Sequence, residues 1–418
     1  MPQTALDAPL SYLDTEGELP YEYYERVRAK GGIVWDEPMR SWVVVDHAMA
    51  QTILRDDVLF AHPYTTMQAR EAYLKVRSGN PRSMMFLSGE KHRAFHKWWL
   101  VELLSPRAVK QHQPMIDAWI DQLIDRLDGR ATFDLVDEFA ERVPLGVFAA
   151  LLDLPQRDLV FLDRVKALND SIAAFASAAN AQQLEGEGNE KAKRIADDAI
   201  AAGEELNAIL LPLVQARRAG TGEDFISRLW AGGTKVFDDW NELDTLDACR
   251  RLLFAGIDTT THAICNAYYM LLSNNALRQE VLAGDAKVMD RFVEEAFRLN
   301  GSVQFRPRRV MSDTKIGDVD LPAGAMVLVA LIGANRDPEH YGCPNRVDLD
   351  RARPHDHLAF NYGPRTCLGM HLARAELASA LSRGLARWPT LRLETTHTAP
   401  MFEGFLMRSY RPLHVRTD

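Results

Sequence analysis

From Asn241 to Asn274 the chain holds no proline, and its one glycine is Gly256. At 1.5 Å per residue, an uninterrupted helix over this span is roughly 50 Å long. Its middle, RLLFAGIDTTTHAICNAYYMLL, is apolar on every side except at one small cluster, AGIDTT. A helix that is apolar all round is buried. The chain must therefore wrap a large body around this segment, and the cluster is set in the interior.

The rest of the chain agrees with a mainly α protein carrying small β-sheets. Residues from about 90 to 300 keep the three-to-four-residue apolar rhythm of amphipathic helices. Strand signals gather near the two ends. GGIVWDEPMRSWVVVDH reads as a hairpin around a proline-containing turn, and 315–332 and 391–416 are further strand-rich stretches. EGEGNE at 185–190 reads as a surface turn. There is no repeat and no low-complexity linker, so a single domain over 1–418 is expected.

Four cysteines in 418 residues do not make a disulfide framework. Their sparse use, with no signal-peptide pattern at the N-terminus, fits a reducing, cytoplasmic setting. No run of 18 apolar residues predicts a membrane span. A net charge of −9 argues against non-specific nucleic-acid binding.

One cysteine is oddly placed. In FNYGPRTCLGMHLARAE, Cys367 stands between a Gly/Pro loop and a helical pattern. Unsatisfied N–H groups at a helix start stabilise an anion and lower a thiol's pKa. Gly363 and Pro364 permit a tight turn, and Gly369 lets a flat group approach the helix. By itself Cys367 reads more readily as a buried packing thiol, since cysteine is among the most buried residue types. With His371, four residues on, it reads as half of a zinc site, although no CxxC accompanies the pair.

The segment resembles the haem-binding loop of cytochromes P450, which has Phe seven residues before the cysteine, Gly four before, a basic residue two before and Gly two after. Here these are Phe360, Gly363, Arg365 and Gly369. Asn361 stands where the family often has Gly. The resemblance implies the fold of that family, a large helical body with a long central helix over haem and minor antiparallel sheets. It makes Cys367 the axial ligand of the iron of haem b, where a thiolate favours O–O cleavage.

Other segments carry the resemblance in order. Ala255-Gly-Ile-Asp-Thr-Thr260 resembles the oxygen-binding signature, with Ala255 and Gly256 leaving room and Asp258 and Thr259 relaying protons. The residues alone also allow a threonine bonded to its own helix and an aspartate paired with a base. Glu295 and Arg298 resemble the family's structural Glu-x-x-Arg pair, and NRDP (335–338) with PNRVD (344–348) the meander that completes it. Arg308 and Arg365 are implied propionate ligands. His92 in EKHRAFHKWW resembles a propionate-binding histidine, with His96 where the family has Arg.

The implied function is oxygen insertion from O2 into a small hydrophobic substrate, by hydroxylation or O-dealkylation. Segments matching the family's pocket walls contain Phe60, Tyr64, Met67, Phe175, Leu252, Val303, Phe305 and Phe402. The short stretch after Cys367 leaves no room for a fused reductase, so electrons from NAD(P)H are expected through a ferredoxin or flavodoxin and its reductase. Arg93, Lys97, Arg365 and Arg374 are candidates for the docking patch. Alternatives are an oxidase that couples or desaturates without oxygen insertion, a non-catalytic haem sensor, and a zinc hydrolase using Cys367 and His371.

Overall fold

The computed structural model describes residues 11–15, 19–63, 70–180 and 190–418. The candidate pocket residues Tyr64 and Met67, and the turn at 185–190 apart from Glu190, lie outside them. Packing divides the chain into two compact units. The first comprises Met1–His62, Ile116–Val143 and Thr259–Asp418, and the second Pro63–Met115 and Pro144–Asp258.

Every named strand belongs to the first unit. They are β1 (Ile33–Asp36), β2 (Ser41–Val44), β3 (Phe60–Ala61), β4 (Thr132–Asp134), β5 (Phe305–Val310), β6 (Thr314–Ile316), β7 (Val319–Leu321), β8 (Met326–Ala330), β9 (Arg392–Leu393), β10 (Met401–Glu403), β11 (Ser409–Arg411) and β12 (His414–Arg416). The expected hairpin is present: β1 and β2 pair antiparallel with Ile33 opposite Val44. The main sheet runs β1-β2-β8-β5-β3, and it is mixed, because β8 joins β2 in parallel.

Strand period decides what each face of β5 does. Successive side chains point to opposite faces, so Arg306, Arg308 and Val310 share one face and Phe305 and Pro307 the other. Phe305 packs with Tyr12, Tyr24 and Val43, whereas Val310 packs with Leu54, Phe60 and Leu358. The sheet thus has an apolar cluster on each face, and one of those faces also carries two arginines.

The long helix is present as Glu242–Leu272. The side chain of Asn241 accepts the Leu243 N–H at 2.9 Å, satisfying a donor at its start. At its far end Asn274 caps the next helix, accepting the Leu277 N–H at 3.1 Å. Within the first unit it is tied down by a buried amide. Asn266 Nδ2 donates to the carbonyls of Asn300 (2.7 Å) and Arg408 (3.1 Å), and its Oδ1 accepts the Tyr410 N–H (3.1 Å). The helix stays regular through the AGIDTT cluster, so Thr259 causes no break in it.

Glu295 and Arg298, on the helix Ala286–Asn300, are fully buried. Two bonds of 2.7 Å join them. Arg298 also donates to the carbonyls of Asn335 (2.9 Å), Pro344 (2.7 Å) and Arg346 (2.9 Å). Glu295 accepts the Asp348 N–H (2.9 Å) and Arg351 Nε (3.0 Å). The pair fastens the 335–351 segment to the helix.

Candidate active site

The cysteine loop lies in the first unit and is built from backbone turns. Gly363–Arg365 form a 3-10 turn, and the Cys367 N–H donates to the Phe360 carbonyl at 2.7 Å. Gly363 has φ +70°, and a Cβ there would stand 2.9 Å from Arg55 Cα, so both backbone angle and space require glycine. Asn361 has φ +65°, the left-handed region that Asn tolerates better than most residues, and its Nδ2 donates to the Arg365 carbonyl at 2.7 Å. The following helix starts at Met370, one turn later than the cysteine itself.

Cys367 is partly buried. Burial pushes its thiol pKa up, against the opposing pull of Arg306, the Gly369 N–H and Arg374. A Cβ on Gly369 would meet no atom nearer than the Cys367 Sγ, at 4.0 Å, so the approach over the helix start is open.

Beside the loop stands a cluster of cations. Arg308, on β5, is 1% exposed. Its Nη1 donates to the Pro307 carbonyl at 2.9 Å, while Nε and Nη2 have no hydrogen-bond partner among the described residues. Burial first, then Arg365 and Arg306, push its pKa down to about 9 against the pull of Asp57. Asp57 Oδ2 lies 3.5 Å from Arg365 Nε. Arg308 and Arg365 thus both feel the Asp57 carboxylate, and a buried cation with idle donors asks for an anion.

The long helix presents one accessible stripe. Arg251, Ala255, Thr259 and His262, spaced by four, four and three, are not buried, although Leu252, Leu253, Ile257 and Asp258 between them are. Asp258 is held in the second unit by Asn169 Nδ2 (3.4 Å) and Lys166 Nζ (3.8 Å), and Lys166 also pairs with exposed Asp170 at 2.6 Å. In the first unit the Ser302 hydroxyl donates to the Thr259 carbonyl. His92 is buried on the helix Gly89–Trp98, with the His96 ring 5.8 Å away.

The cytochrome P450 family model matches residues 10–415. This chain is a cytochrome P450. It is 30% identical over 387 residues to the cytochrome P450 monooxygenase PikC of Streptomyces venezuelae, covering 90% of this chain and 86% of that one. It superposes on the versatile cytochrome P450 enzyme CYP109B1 of Bacillus subtilis with TM-score 0.80 and 26% identity, over 96% of this chain and 100% of the other. CYP164A2 of Mycobacterium smegmatis gives TM-score 0.79 and 29% identity over 95% and 96%. The family is one of haem-thiolate monooxygenases that use haem, O2 and electrons from a redox partner.

The donor set of this P450 fits haem. A sulfur at an open helix start and a buried guanidinium with idle N–H groups match a metal and the carboxylates of its porphyrin. Other expectations change in detail. Gly256 does not leave open room, since a Cβ there would fall 1.9 Å from the ring of Phe148. Arg374 is bidentate to Glu294 (2.6 and 2.8 Å) and Arg365 is nearly buried, so of the four proposed docking cations only Arg93 and Lys97 are exposed surface charges.

Of the candidate pocket residues, Phe60 and Val303 pack in one sheet cluster and Phe305 in the other. Phe402 lies against Tyr410 and Phe175 against Tyr73, and Leu252 is buried. A small pocket in the second unit has other, mixed walls: Met85, Ile172 and Phe254 beside Asn169, Asp247 and Arg251. Sequence reading missed these, together with Asp57, Arg306 and His262, because each is isolated in the chain and carries no motif. Among the described residues no helix is long and apolar enough to cross a membrane.

Proposed function

We propose that residues 1–418 form one haem domain in which Cys367 is the thiolate ligand of haem b. The supporting observation is Arg308, buried with two idle guanidinium nitrogens beside Arg365 and Arg306. Arg308 and Arg365 would bond the propionates, with His92 and His96 donating further hydrogen bonds. Phe360, Gly363 and Gly369 would shape the loop around the sulfur. Bound in this way, haem supplies thiolate-ligated iron that activates O2 and delivers one oxygen atom to a substrate carbon.

The chain's own residues would position substrate and move protons. The Gly369 N–H, directed at the sulfur, tempers its charge. Asp258 and Thr259 are proposed as the proton relay. Asp170, Lys166 and Asp258 make a polar path inward from an exposed carboxylate, and the Thr259 hydroxyl would pass the proton on. Ala255 would belong to the face that meets haem and O2, whereas Gly256 makes room for the ring of Phe148.

The substrate class proposed is the one the family resemblance implies, a small hydrophobic molecule that is hydroxylated or O-dealkylated. Reducing equivalents would come from NAD(P)H through a ferredoxin or flavodoxin and its reductase, with Arg93 and Lys97 contributing charge to docking.

The test is the spectrum of the reduced, CO-bound protein. The wild type gives the red-shifted band of thiolate ligation, and Cys367→Ser loses it. Nitrogen ligation in the wild type would overturn the assignment. With a surrogate reductase, labelled O2 enters the product of a monooxygenase and stays out of that of an oxidase. Asp258→Asn should lower turnover by about a hundredfold with an enlarged solvent isotope effect.

A further inference from the structure

His47, His340 and Asp356 come from three distant points of the chain and meet in the first unit. A ring nitrogen of each histidine and a carboxylate oxygen of Asp356 lie within 4.8 Å of one another. The two imidazoles stack with centroids 3.5 Å apart and planes 13° from parallel. His340 Nε2 stands 3.2 Å from Asp356 Oδ2. None of the three belongs to the cysteine loop, to the guanidinium cluster or to the relay.

We propose that His47, His340 and Asp356 form a binding site for a divalent transition-metal ion of the zinc class, which clamps the helix His47–Arg55 to the segment that leads into the cysteine loop. Two histidines and a carboxylate are a ligand set that zinc takes with water in the fourth position. Bonds of about 2.0–2.1 Å at the tetrahedral angle put neighbouring ligand atoms about 3.4 Å apart. The His340–Asp356 separation already has that length. The third ligand closes up by rotation of an imidazole.

The surroundings hold the ligands in place. The His47 N–H donates to Asp337 Oδ2 at 2.8 Å, which fixes the backbone under the first ligand. The Tyr341 hydroxyl lies 3.4 Å from His47 Nε2 and donates to the Asp356 carbonyl, so it braces two ligands at once. Such outer partners orient ligands and are worth about tenfold or more in affinity. Arg353 stands 3.4 Å from Asp356 Oδ2, and its side chain is 76% exposed, so it can swing into solvent when a cation arrives.

The clamp acts on a defined joint. Leu358 N–H donates to Asn335 Oδ1 at 2.7 Å, and Asn335 Nδ2 donates to the Arg298 carbonyl at 3.2 Å. Metal binding would therefore stiffen the mount of the segment that ends in Phe360 and Cys367. Imidazole and carboxylate donors favour zinc, nickel or copper over magnesium or calcium.

The experiment uses the purified holoenzyme, stripped with a chelator and titrated with zinc chloride by calorimetry and by thermal unfolding. One equivalent should bind and raise the melting temperature, while magnesium chloride at the same concentration does neither. His340→Ala and Asp356→Asn, at partly exposed positions, should each weaken zinc binding by more than about tenfold. His47→Ala should abolish it. His371→Ala and Cys343→Ser should leave it unchanged. Absence of zinc uptake by the wild type, or binding that survives His340→Ala and Asp356→Asn, would overturn the site. The outcome is independent of the ligation of haem, which the CO spectrum reads separately.

Discussion

Arg298 and Arg308 are both buried arginines of the first unit, and they differ in what surrounds them. Arg298 is saturated by its own chain, with a bidentate carboxylate and three backbone carbonyls. Arg308 donates to one carbonyl and keeps two nitrogens idle next to other cations. A guanidinium that the fold satisfies completely is a fastener. One that the fold buries and leaves incomplete is held for a ligand, since the cost of burying an unsatisfied charge is recovered only when the ligand arrives.

The sharpest way to break this comparison is to remove each arginine. Arg298→Ala leaves Glu295 buried and unpaired and frees three carbonyls, so it should cost about 3–5 kcal/mol of stability, with or without haem. Denaturant unfolding of apo- and holoprotein measures this. Arg308→Leu should behave in the opposite way. It relieves repulsion with Arg365 and Arg306, so the apoprotein should be as stable as wild type or more so. Haem should be held more weakly, by about 1.5–3 kcal/mol, as read from haem transfer to apomyoglobin. Equal loss of apoprotein stability in the two variants would erase the distinction.

A pH series sharpens it further. Glu294 is saturated in the same manner, by Arg374 and His357. Burial raises its pKa, and the bonds from Arg374 and His357 outweigh this and carry it far below the ordinary carboxylate value. The unfolded chain therefore takes up this proton first as pH falls. The stabilisation is complete above about 4.5 and is lost as pH drops through the folded pKa. Glu294→Gln should flatten the acid limb of stability below that point.

The smallest effect belongs to Asn361. Asn361→Ala should cost about 1 kcal/mol, because its left-handed backbone disfavours a Cβ without the Asn hydrogen bond. Asn361→Gly should recover part of the loss by freeing the backbone. Thermal unfolding separates the two.

Much of the fold was legible in the chain. The long helix announced itself through the absence of proline and through apolar residues on every side, and the hairpin through two apolar runs around a turn. The cysteine loop was legible because its glycines answer local backbone demands. Gly256 was misjudged, because its reason for being glycine is the ring of Phe148, distant in sequence. The pocket residues were named from segments, yet a side chain's face in a sheet depends on register. Phe305 points away from Arg306 and Arg308, which follow it on the other face of β5.

Local chemistry was thus settled by sequence: turn glycines, caps, helical periodicity and the isolated cysteine depend on neighbours within a few residues. Which charges are satisfied was decided only by the tertiary structure. Arg298 and Arg308 look alike in the chain, and the carbonyls that saturate one and miss the other come from residues up to 48 positions away. Hydrogen bonding is short-ranged and directional, so only the folded arrangement determines which donors are left for a ligand.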